Sequence, residues 1–379
     1  MKFTQWVNRA ALLLVFYSAS GFAAEPGVTD TDLKIGQFAA QSGPVSELGK
    51  RLKLGILTYF NAVNAEGGVH GRLLHLISRD DHYEPAKSAA VVKQLIEEDQ
   101  VFALIGSVGT PTTQAALPAI NAAGIPLIGP FSGATSLREP LNRNVFHVKA
   151  SYADEAERIV QHLSTLGIQK IAVFYQNDAY GKDGLDGVMR AMNKRKLTPV
   201  ASVTVERNSV DVTAPLAELL KANPEAVIQI GTYTTCAALI KEARALSYGG
   251  QFFNVSGVGA KALAEELGKA GAGVTVSQVV PLPYAPSSAL AREYQQRMSE
   301  AGHNELDFSS MEGFIAAKVF TEGLRRAGKN LTRQGLINAL ESLNGYNLGG
   351  FAVSYSAKDH SGSHFTEMTM IGSDGRFIR

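Results

Sequence analysis

The chain of 379 residues has one cysteine, Cys236, and one tryptophan. A single thiol excludes an intramolecular disulfide, so the fold must rest on a sizeable core. There is no excess of charge: 36 lysines and arginines face 35 aspartates and glutamates. That balance gives no electrostatic footprint for nucleic acid or an anionic membrane surface, and points to a small or protein partner. No apolar run approaches the roughly 20 residues that span a bilayer. A Walker loop, a G-x-S-x-G elbow and an H-E-x-x-H pair are also missing.

What is present begins with a leader. Lys2 and Arg9 precede the apolar run Ala10 to Tyr17, and Gly21-Phe22-Ala23-Ala24 follows. A charged start, a short apolar stretch and a small-x-small site predict a secretory signal peptide over residues 1–24. No cysteine follows it to carry a lipid, so the rest is expected as a soluble, exported protein. About 355 residues remain, which the domain-size range divides into two lobes.

From Asp32 the chain alternates strand and helix signals. Strands are predicted at Leu33–Phe38, Leu73–Ile77, Ala103–Ile105, Pro126–Ile128 and Val145–Val148, separated by helices at Glu47–Ala65, Pro85–Glu98 and Pro111–Ala123. The alternation restarts with a helix at Tyr152–Leu166 and strands at Lys170–Tyr175, Val200–Val205, Ala226–Ile230, Phe252–Val255 and Val274–Val280. This pattern predicts an α/β architecture with parallel sheets.

The two halves also echo one another. Lys34-Ile35-Gly36-Gln37-Phe38 matches Lys170-Ile171-Ala172-Val173-Phe174, each followed by a small or polar turn and a helix. Leu104-Ile105-Gly106 with its Ser/Thr loop matches Gln229-Ile230-Gly231 with its Thr-rich loop, and both lead into Ala-Ala-Leu helices. Two such open-sheet lobes, strand ends facing, enclose a cleft of the kind ligands prefer. Pro281-Leu282-Pro283 reads as a hinge, before helices at Ser288–Ala301, Ser309–Ala327 and Thr332–Leu343 and antiparallel strands at Phe351–Tyr355 and Phe365–Ile371. The expected lobes are 32–148 with 282–348, and 149–281 with 349–379, crossed near Lys149, Pro281 and Gly349.

Few residues suggest catalysis. Gly257-Val258-Gly259-Ala260-Lys261-Ala262 fits G-x-G-x-x-A, but the next strand ends without the acidic residue of a dinucleotide site. His70, His75 and His82 match no metal-ligand spacing. Cys236 has no histidine near it in sequence, and Asp80, Asp81 and Asp178 read as strand-end turn residues. Binding is therefore the leading expectation, with neither cofactor nor metal.

Lys34-Ile35-Gly36, Ser42-Gly43-Pro44, Asn64-Ala65-Glu66-Gly67-Gly68-Val69-His70-Gly71, Gly133-Ala134-Thr135 and Tyr180-Gly181 together resemble the leucine/isoleucine/valine-binding protein family. The resemblance spans the mature chain. It implies two Rossmann-like open-sheet lobes joined by a three-crossing hinge, the type I periplasmic binding protein fold. It further implies a monomer in the periplasm that hands a small-molecule ligand, an amino acid or related carboxylate, to the membrane permease of an ABC importer. By the same resemblance the ligand carboxylate would be held by Thr110 and by Gly133, Ala134 and Thr135, near Ser42. Tyr180 would close over it, and Tyr152 and Tyr233 are further cleft candidates. N–H groups at helix starts are suited to anions.

One departure matters. Relatives that bind aliphatic amino acids place a Glu where this chain has Ser256, and a buried ammonium needs a carboxylate. Asp178 would serve if it turned inward; otherwise the ligand is an aromatic or aliphatic carboxylate, or an amide. A ligand-sensing module for a chemoreceptor or kinase would use the same cleft.

Overall fold

The computed structural model describes residues 25–286 and 288–379. The signal peptide read at 1–24 lies outside them. Among the described residues no helix is long and apolar enough to cross a membrane.

The first lobe alternates β1 (Asp32–Ala39), α1 (Ser46–Ala65), β2 (Leu73–Asp80), α2 (Pro85–Glu97), β3 (Ala103–Ile105), α3 (Thr110–Ala122), β4 (Leu127–Ile128) and β5 (Val145–Phe146). Its five strands are parallel in the order β2-β1-β3-β4-β5. β3 and β4 are short and wholly buried, as expected of strands covered on both faces.

The second lobe follows with α4 (Tyr152–Thr165), β6 (Ile171–Gln176), α5 (Ala179–Asn193), β7 (Ala201–Val205), α6 (Thr213–Ala222), β8 (Ala226–Ile230), α7 (Tyr233–Ala245), β9 (Gln251–Asn254), α8 (Ala260–Leu267) and β10 (Thr275–Gln278). Caps fix where its site helices begin. Ser151 and Asp154 form a reciprocal capping box on α4, and Asp178 accepts from Tyr180 and Gly181 N–H at the start of α5.

The chain then returns to the first lobe. The helices α9 (Ala289–Glu300), α10 (Phe308–Ala327) and α11 (Arg333–Glu341) follow, with α10 laid along α1. Gly55 makes that approach possible, because a Cβ there would fall 1.7 Å from the Ser310 carbonyl oxygen. Next come β11 (Tyr346–Asn347), β12 (Ala352–Val353), β13 (Glu367–Ile371) and β14 (Phe377–Ile378). The last two extend the second sheet to β14-β13-β10-β9-β8-β6-β7 and pair antiparallel.

The alternation at Phe351–Tyr355 gives a shorter strand than its pattern predicts. β12 pairs only with β11, in a ribbon of its own. Tyr355 and His360 instead pack on Phe146, the latter stacked at 3.9 Å. The Tyr355 hydroxyl and the Gly362 N–H both donate to the His147 carbonyl, at 3.0 and 2.8 Å. This segment is therefore laced beside β5, and the chain joins the second sheet only at β13.

Both sheets reverse winding direction at one place: β2 and β3 flank β1, and β7 and β8 flank β6. Such a switch point opens a crevice beyond the carboxyl ends of its strands. The two crevices face one another.

Candidate functional site

Each element delivers one or two residues to this cleft. Val45 and Leu48 follow β1, Tyr83 follows β2, Val108 and Gly109 follow β3, and Phe131 follows β4. From the second lobe come Tyr152, Tyr180, Thr232 and Gly257. Together they enclose about 10 Å³, room for about one water molecule. The lobes are shut, and no solute enters unless they part. None of these ten lining residues carries a charge. A larger groove of about 590 Å³ beside Lys261, Tyr284 and Phe377 shares no residue with the cleft, and its Lys261 is paired with Glu265 at 2.9 Å.

Close packing explains two glycines. A Cβ on Gly257 would lie 2.9 Å from the hydroxyls of both Tyr152 and Tyr180, so those phenols converge on its bare Cα. At Gly109, with φ of +97°, a Cβ would fall 2.3 Å from the Tyr83 ring. Burial raises the ionisation of all three tyrosines well above the ordinary phenol range, so they act as neutral hydroxyls.

None of Thr110, Gly133, Ala134 and Thr135, expected to cradle a carboxylate, lines the enclosed cleft, and most of the donors on these loops have protein partners. Thr110 is buried, and its hydroxyl lies 2.8 Å from that of Ser132. Ser132 also accepts from the Ala134 N–H at 3.2 Å. The Gly133 carbonyl accepts from Tyr152 N–H at 2.7 Å, joining the lobe-1 loop to the start of α4. The Thr135 and Ser136 N–H groups donate to the carboxylate of Asp183, on α5, at 2.9 and 3.0 Å.

Other candidates sit differently. The Ser42 hydroxyl is 2.6 Å from Asp80 and 2.7 Å from His82 Nδ1. This exposed trio is not a charge relay, because Asp80 takes the serine contact itself while its other oxygen accepts backbone N–H from Gln41 and His82. Asp178 does not turn inward: it caps α5 and accepts from the Gln176 amide. Tyr233 is buried beside the cleft without lining it, and the adjacent Thr232 lines it instead. Cys236 is buried, which pushes its thiol far above the usual range. The G-x-G-x-x-A stretch is a turn into α8, with Leu48 packed against Gly259.

Ser256 holds the main surprise. Its N–H and hydroxyl both donate to Glu155, at 2.6 and 2.9 Å. Glu155 sits on the first turns of α4, fully buried, and burial raises its carboxyl to about 7 against the opposing pull of Lys149. Lys149, on the first crossing, pairs with Glu312 of α10 at 2.9 Å and lies 4.2 Å over the Phe131 ring. A buried charge cluster thus joins both lobes beneath the cleft.

Of the ten lining residues, sequence reasoning named only Tyr152 and Tyr180 as site residues; among those it missed, Tyr83 matters most, and it also missed Glu155 behind Ser256. Tyr83 has a φ of +60° and is aimed by Asp81, whose carboxylate accepts from Tyr83 N–H and the Ser88 hydroxyl. An aromatic directly beyond a parallel strand was the available signal. Glu155 had none, since it reads as one more polar residue in Asp154-Glu155-Ala156-Glu157-Arg158.

The same architecture recurs among known proteins. A possible leucine/isoleucine/valine-binding protein from Rhodopirellula baltica is 34% identical, with a TM-score of 0.88 over 92% of this chain and 97% of that one. A substrate-binding periplasmic protein from Ralstonia solanacearum is 31% identical, with a TM-score of 0.86 over 92% of this chain and 99% of that one. Leu/Ile/Val-binding protein homolog 3 of Brucella melitensis is 26% identical over 322 residues, covering 83% of this chain and 85% of that one. The family model described as periplasmic binding protein matches residues 32–376, and the chain belongs to that family, in its leucine/isoleucine/valine-binding type.

Proposed function

We propose that this chain is a periplasmic substrate-binding protein that closes on a small solute with an apolar or aromatic body and delivers it to the permease of an ABC importer. Amino acids and related carboxylates or amides are the class. Within it, the neutral lining favours a carboxylate or amide that lacks an ammonium group, because a cation shut into this cleft would meet no lining carboxylate. Thr110, Gly133 and Ala134 offer the polar end of the site, and Tyr83, Phe131, Tyr152 and Tyr180 its aromatic walls. Lobe 1 is taken as 32–148 with 282–348 and lobe 2 as 149–281 with 349–379.

Thermal melting with benzoate, phenylacetamide, L-leucine and L-phenylalanine tests the reading. A ligand bound only by the folded state raises stability by RT ln(1 + [L]/Kd). The acid or the amide should raise the melting temperature most. A rise with the two amino acids alone would refute the neutral-lining argument.

A further inference from the structure

The N–H pair of Thr135 and Ser136 opens the turn after β4, where an anionic ligand group is expected. Asp183 fills it from the opposite lobe. One carboxylate oxygen accepts from Thr135 at 2.9 Å and the other from Ser136 at 3.0 Å. Arg190 stands on the same face of α5, seven residues on, and its guanidinium reaches the Thr135 hydroxyl at 3.5 Å. The loop is assigned to lobe 1 and α5 to lobe 2, so these bonds tie the two lobes together. A ligand carboxylate brought to the same N–H pair would meet a second carboxylate, and like charges in one small site repel.

We propose that Asp183 is a built-in occupant of this anion subsite: it latches the closed form without a solute and leaves a ligand carboxylate only the Thr110 and Gly133 end of the cradle. The specificity half rests on the binding function proposed above; the latch half does not. A charged acceptor bonded to two backbone donors makes a stronger contact than a neutral one, and partial exposure of Asp183 reduces its effect on closure to about tenfold.

The test uses the ligand-free mature protein with spin labels at Lys93→Cys and Lys221→Cys, two exposed helical positions on opposite lobes. Cys236 is buried and escapes labelling. Pulsed electron–electron distance measurement should find a closed population in this background. Asp183→Ala should lower the closed-to-open ratio about tenfold. Asp183→Asn, whose single amide oxygen replaces two carboxylate oxygens, should fall between, and carries the test if the alanine variant melts early. Unchanged distance distributions in both variants, or no closed population in the parent, would overturn the latch. Neither result depends on which solute binds, so failure of the transport reading leaves this outcome separately visible.

Discussion

Replacing Glu155 by Gln should stabilise the protein at neutral pH and leave it unchanged in acid. The Glu155 carboxyl is raised from 4.5 to about 7, chiefly by burial. Below pH 4.5 both folded and unfolded chains hold the proton, and the group contributes nothing. Between 4.5 and 7 the folded chain keeps the proton that the unfolded chain has released, so stability falls as pH rises. Above 7 both are ionised and the full cost is present, about 3 kcal/mol at 1.36 kcal/mol per pH unit. Glutamine preserves the local contacts: its carbonyl can accept the Ser256 N–H while its amide donates to the Ser256 hydroxyl. Melting both proteins from pH 4 to 9 reads the difference, and groups common to both cancel. For a folded chain of this size about 3 kcal/mol corresponds to roughly 4 °C. The gap should be near zero in acid, open through pH 4.5 to 7, and then hold. A gap independent of pH would refute the burial argument. A variant that loses stability as pH rises would show that pairing with Lys149 outweighs desolvation.

The Lys149–Glu312 pair should respond in the opposite sense. Lys149→Met leaves Glu312 buried without its cation and should cost about 3–5 kcal/mol in denaturant unfolding, much of it recovered by adding Glu312→Leu. Gly257→Ala should cost about 1–3 kcal/mol in the same assay, because the new methyl displaces the Tyr152 and Tyr180 hydroxyls. It should also enlarge the radius of gyration in solution scattering. Cys236 should resist a thiol reagent in the native protein and react fully once denaturant is added, since it is buried and held as thiol.

The loops that carry the first lobe's half of the cleft were legible because local chemistry determines where they fall, but the residues that line it, Val45, Leu48, Tyr83, Val108, Gly109 and Phe131, were not among the expected site residues. A short apolar strand that stops at Gly106, then Ser107, Thr110 and a helix, has few ways to fold, and the same holds for the loop through Gly133. Tyr180 was named from the family resemblance and Tyr152 from its place after the first crossing, and both line the cleft. The errors arose where the answer is set across the chain. Asp178 looked available for a ligand, yet the nearest unpaired N–H groups belong to its own helix, and it caps them. Residues 351–355 alternate like a sheet strand, but Tyr355 and His360 pack on Phe146 of the first lobe instead. Glu155 meets Ser256 across 101 residues, and no periodicity or spacing encodes that approach.

Three carboxylates stand around this cleft, and the fold gives each a donor set before a solute arrives. Asp178 holds the first turn of α5, Asp183 holds the turn at Thr135, and Glu155 holds Ser256. A carboxylate already bonded on both oxygens binds a cation less well, since the new partner must compete with donors that cost nothing to reorganise. The absence of a glutamate at 256 is thus not repaired by its acidic neighbours, although one lies in direct contact with that serine. On the binding function proposed above, what remains in the lining to recognise a solute is the Thr232 hydroxyl and four aromatic rings, with Thr110 and the backbone about Gly133 as the proposed polar end. Rings and hydroxyls discriminate by shape and by single hydrogen bonds. A pocket that binds an added polar group discriminates strongly only when it leaves a buried partner unpaired. Selection between an acid and its amide should accordingly be weak here, and selection by the width of the apolar body strong.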